Sequence, residues 1–177
     1  MNRLAAVVVL AMTGVGCYES EVPLDQAPQA SIDPALVGAW RCLSFGAGSD
    51  VEAATLTVGR KTDVVYAIAF QEGQGEAERY EAHASLLKGT TLLNVKDLDP
   101  RLPAKPWTLA RYSLLRPDVL HVEVVGKKLL TGALASPASL RKELERLYDR
   151  PDLYQDLMVC VRVRPESKKV VDGTVPR

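Results

Sequence analysis

Seven β-like segments in series, then one helical segment and one more β-like segment, constrain this chain more than any other feature. The seven are residues 37–45 (VGAWRCLSF), 52–60, 63–71 (DVVYAIAFQ), 79–87, 90–96, 107–116 and 119–125. Thr55, Thr57 and Val58 supply β-branching in the second. Strict alternation marks the fourth, where Tyr80, Ala82, Ala84 and Leu86 share one face and Glu81, His83 and Ser85 the other. In the seventh, Leu120, Val122 and Val124 oppose His121 and Glu123. Gly73 and Gly75, Lys88-Gly89 and Arg116-Pro117-Asp118 punctuate the series as turns. One longer loop, 97–106, carries prolines at 100, 103 and 106.

The period changes after 125. Ser136-Pro137 is an N-cap followed by a proline at the first helical position. Leu140, Leu144, Leu147 and Tyr148 then form one apolar helix face, and Pro151 ends the helix. Residues 157–164 (LMVCVRVR) return to alternation as the last strand. Short connections favour antiparallel meander pairing. An open eight-stranded meander leaves two edges, and pairing the first strand with the last removes both. The expected fold is therefore mainly β, a closed antiparallel eight-stranded meander barrel over residues 36–166 with one α-helix before the last strand. The strand 63–71 is apolar on both faces, so the helix is expected to cover its outer side.

The N-terminus reads as an address. Arg3, an apolar or small run over 4–12, and small residues leading to Cys17 are the three parts of an export signal. The run is well short of the roughly 20 residues that span a bilayer. Gly14-Val15-Gly16-Cys17 resembles the bacterial lipobox. The resemblance implies that 1–16 is removed and that Cys17 carries a diacylglyceryl group, giving firm attachment to a membrane. Tyr18 stands where inner-membrane lipoproteins of that family often carry Asp, which points to the outer membrane, facing the periplasm. The competing reading is ordinary signal-peptidase cleavage beside a coincidental cysteine. Residues 17–35 hold three prolines and four acids, and are expected to form a flexible tether. A disordered tail is expected over 167–177.

Cys42 and Cys160 remain, an even number near the two ends of the barrel domain. A disulfide is the favoured reading, and two free buried thiols the alternative. No metal site is expected, because no further Cys and no nearby His completes a ligand set. If the two cysteines face each other, antiparallel register puts Trp40 opposite Arg162, with all four side chains on one face. Arg over an indole is a favourable stack.

Gly38-Ala39-Trp40, with Arg162 late in the chain, resembles the Gly-X-Trp motif of lipocalins and related calycin barrels. The resemblance implies a Trp near the closed end of the barrel with the Arg packed over it. A helix before the terminal strand is similar to the same family.

With 22 basic and 22 acidic residues the chain lacks the positive excess that nucleic-acid binding needs. There is no Gly-X-Ser-X-Gly elbow, no His-Glu-X-X-His and no dinucleotide loop, so no catalytic residue and no cofactor are expected. His83 and His121 fall on polar strand faces and read as solvated surface residues. Small side chains such as Ala82 and Ala84 leave room inside an eight-stranded barrel for one ligand. Tyr80, Ala82, Ala84, Leu86, Leu120, Val122 and Val124 are the candidate lining. Two functions are compatible with these features. One is a membrane-anchored envelope protein that binds an apolar or amphipathic small molecule. The other is a solid barrel that binds an envelope protein, using Phe45 with Gly46-Ala47-Gly48, or Leu98 and Leu102.

Overall fold

The computed structural model describes residues 17–45, 51–101, 106–130 and 134–164. The expected export signal over 1–16, Gly46-Ala47-Gly48, Leu102 and the expected tail over 167–177 lie outside the described residues. Nine strands and a helix run in the order β1 (Glu19–Ser20), β2 (Gly38–Phe45), β3 (Val51–Arg60), β4 (Val65–Glu72), β5 (Glu78–Leu87), β6 (Thr90–Asp97), β7 (Trp107–Arg116), β8 (Val119–Val125), α1 (Pro137–Leu147) and β9 (Tyr154–Arg162). Strands β2 to β9 pair antiparallel in chain order, and β9 returns to β2. This is the closed eight-stranded meander, with β1 an extra strand outside it. The Lys88-Gly89 hairpin uses two left-handed residues (φ 47° and 82°), which is the two-residue turn whose twist suits adjacent strands.

The closing seam is stapled. Cys42 and Cys160 are opposite each other in the β2–β9 ladder and form a disulfide across a sequence separation of 118. The same register sets Trp40 opposite Arg162. The face that carries Trp40, Cys42 and Ser44 is the interior, and all three side chains are buried. They join Leu56, Val58, Tyr66, Ala82, Ala84, Leu120 and Met158 in the barrel core.

A second core lies outside the barrel. Ser136 and Ser139 form a capping box that starts α1. Its face of Leu140, Leu144 and Leu147 packs with Leu87, Leu92, Leu109 and Val125. The helix therefore covers the outer side of β5–β7, and not that of β4 on which the sequence placed it. The outward residues of β4 include Ala67, which is exposed, and Ala69, which is half-buried. Leucines on β5, β6 and β7 have far more apolar surface to hide than alanines on β4.

The expected tether over 17–35 is also corrected, because these residues strap the barrel. β1 pairs with the start of β7, beyond the point where the shorter β8 ends. Tyr18 and Leu24 are buried in the outer core. Asn94 on β6 is fully buried beneath the strap; its Oδ1 accepts from the Leu24 amide at 2.6 Å and its Nδ2 donates to Ser85 Oγ at 2.8 Å. Arg141 of α1 grips Asp25 with two bonds of 2.9 and 2.7 Å. His83 donates from Nε2 to the Asp25 carbonyl at 2.8 Å, so it is covered by the strap and not solvated as its strand face implied. The strap then pairs with β5 at Ala84 and delivers Ile32 and Leu36 to the barrel core.

Candidate functional site

The two ends of the barrel differ. At the end where β2 begins, Trp40 is fully buried and its Nε1 donates to the Leu36 carbonyl at 2.9 Å. The Arg162 guanidinium stacks 4.1 Å above the indole and donates to the carbonyls of Val37, at 2.9 Å, and Ala35. Gly38 is required there: a Cβ at this position would lie 2.7 Å from Arg162 Nη1, and its φ of 146° disfavours a side chain. Behind Trp40, Tyr66 and Tyr112 converge on Asp33 of the strap. The Asp33 amide donates to Tyr66 OH at 2.5 Å, and Tyr112 OH donates to Asp33 Oδ2 at 3.1 Å. Strap and Trp together plug this end.

Among the described residues the other end is open. A cavity of about 500 Å³ runs inward from it, lined chiefly by apolar side chains, among them Leu56, Phe70, Leu93, Ala110, Tyr112 and Met158. Of the sequence-predicted lining, Tyr80, Leu120, Val122 and Val124 face this cavity. Ala82 and Ala84 point inward too, but lie in the packed core toward the closed end. Leu86 is corrected: it keeps the parity of Ala84, yet β5 has by then run out of the barrel, and the side chain is 45% exposed. The Phe70 and Tyr112 contributions were within reach of the sequence, since alternation puts Phe70 on the Ile68 face and Tyr112 on the Ala110 face. The sequence did not say which face of either strand was interior.

Polar groups gather at the mouth. A wider basin of about 990 Å³ joins the cavity at Phe70 and Glu72, and is lined also by Glu76, Glu78, Asp97, Asp99, Arg79 and Arg101. Ser44 donates to Glu72 at 2.6 Å, and Tyr80 OH donates to Glu78 at 2.5 Å. Arg101 is held by Asp99 in a bidentate pair at 2.7 to 3.0 Å. Cys17 sits at the same end, half-buried at the cavity wall and bridged to Gly126. Burial pushes its thiol above the ordinary pKa. His121 lies outside the cavity lining and pairs at 2.9 Å with Asp156, which borders the cavity.

Burial pushes the phenols of Tyr18, Tyr66, Tyr80, Tyr112 and Tyr154 above their ordinary pKa. At Tyr80 the bond to Glu78 and the charges of Glu78, Asp97 and Glu72 add to burial; at Tyr112 the charge of Asp33 does. The sign comes from proton linkage. Unfolded tyrosines ionise near pH ~10, while the folded ones hold their protons to higher pH. Stability is fully present below about pH 10 and falls as pH rises beyond it. The urea midpoint is expected to drop between about pH 9 and about pH 11, with phenolate absorbance rising together with loss of near-ultraviolet ellipticity. Ionisation of these five phenols before any unfolding would contradict this account.

Among the described residues no group of three or more His, Cys, Asp or Glu is arranged to hold a metal ion. No helix among them is long and apolar enough to cross a membrane. Comparison with protein-family models, with curated proteins and with solved structures gives no match to this chain.

Proposed function

We propose that this chain is a lipid-anchored envelope protein that carries an apolar or amphipathic small molecule in a lipocalin-like barrel. The observation that carries the reading is the apolar cavity of about 500 Å³, plugged at the Trp40 end and, among the described residues, open at the other. Pockets of roughly 300–1,000 Å³ lined by apolar groups with a few polar ones suit small ligands. The Cys42–Cys160 disulfide fits an oxidising compartment, which supports an envelope location. Cys17 at the mouth supports an anchor placed beside the cavity entrance.

The test is saturable binding of a hydrophobic fluorescent dye, with and without the substitution Ala110→Trp. Ala110 is buried, faces the cavity, and can be enlarged without touching the plug. Wild-type protein is expected to bind one dye molecule per chain, and Ala110→Trp to weaken binding by about 10-fold or more while keeping the far-ultraviolet spectrum. Absence of saturable binding by the folded wild-type protein would sink the reading. Protein binding is the second reading. Its support is a patch of exposed Leu43, Phe45, Val51 and Val161 on the outer wall of β2, β3 and β9.

A further inference from the structure

We infer that the head group of the ligand is cationic, so that the barrel selects positively charged amphiphiles. This rests on the ligand-carrying reading above and adds the charge of the molecule carried. Strand register supplies the argument. Ser44, Ala54, Phe70 and Tyr80 line the inner face near the open end. Their cross-strand partners are Glu52, Glu72, Glu78 and Asp97. Directly paired residues share a face. Glu72, Glu78 and Asp97, on the adjacent strands β4 to β6, thus line the basin at the open end, and Glu52 is exposed at the end of β3 beside them.

The cavity below meets this collar at Glu72 and fixes where a ligand's tail would lie. The collar fixes the charge of the head group above it. A chain inserted through the mouth holds its head at the level of Glu72, which borders both the apolar cavity and the basin. With the Asp99–Arg101 pair set aside, four acids face one arginine among the described basin residues. Tyr80 reports the same field from inside, since its hydroxyl is bonded to Glu78 and burdened by Asp97 and Glu72. An anionic head would meet like charge on three strands, whereas a cationic one would relieve it. A bare metal ion fits less well, because the described carboxylates form no cluster arranged to ligate one.

The experiment compares three probes of equal tail length on the intact protein, below their micellar concentrations: dodecyltrimethylammonium, dodecyl maltoside and dodecyl sulfonate. Calorimetry at low salt is expected to rank the ammonium first and the sulfonate last, about 10-fold or more apart. Molar salt is expected to erase that gap and to leave the maltoside unchanged. The triple variant Glu72→Gln, Glu78→Gln, Asp97→Asn is expected to do the same at low salt. The salt arm serves as the readout if that variant does not fold. Equal affinity for all three probes, or a preference for the sulfonate, overturns the cationic assignment while leaving carriage standing. No binding of any probe overturns carriage and the assignment with it.

Discussion

Trp40→Ala is expected to cost about 4 to 5 kcal/mol, at the upper end for buried aromatic truncations. The side chain has 0% exposure and plugs the barrel. Its loss leaves a void, an unpaired Leu36 carbonyl, and an Arg162 guanidinium with no ring beneath it. Each adds to the transfer term, and a typical domain has only about 5–15 kcal/mol in all. The measurement is the urea midpoint at unchanged m-value. Trp40→Phe, which retains most of the ring volume, is expected to recover more than half. A loss below about 1 kcal/mol for the alanine variant would mean that the plug is held by the strap alone.

The second large effect belongs to the seam. Replacing both Cys42 and Cys160 by alanine is expected to cost about 4 to 5 kcal/mol in the chain-entropy account, because the bridge closes a loop of over a hundred residues. Alanine is the choice because both side chains are buried and a serine hydroxyl would need a partner there. Unfolding the wild-type protein in urea with and without reductant is the check, with thiols counted at each point. If reduction exposes two thiols but the midpoint does not move, the seam is held by its ladder hydrogen bonds and core packing, and the bridge is redundant.

These expectations also show what the sequence could and could not reveal. The barrel was legible because alternation is local, and because serial strands with short turns leave few ways to pair. Trp40 opposite Arg162 was legible because two cysteines fix a register for every other pair in the ladder. What escaped was set by tertiary context. Leu86 obeys the inward parity of β5, but parity does not say where the barrel ends. His83 sits on the polar face, but only the path of the strap decides that this face is covered. The prolines and acids of 17–35 resemble a linker in composition, yet Tyr18, Leu24, Ile32 and Leu36 are spaced to reach buried sites along a surface. Glu52, Glu72, Glu78 and Asp97 stand at or beside segment ends, where acids read as turn solvation. Only the register brings them to one rim.

The Cys42–Cys160 bridge has a topological consequence. Everything between those residues is a covalent ring, and every connection from the end of β2 to the start of β9 belongs to it. A protease that cuts one of these connections turns the ring into a linear chain with new ends, but releases no fragment while the bridge stands. The strands on either side of the cut keep their neighbours, much as in a circularly permuted chain. Reduction and cleavage must act together before the barrel can come apart in pieces.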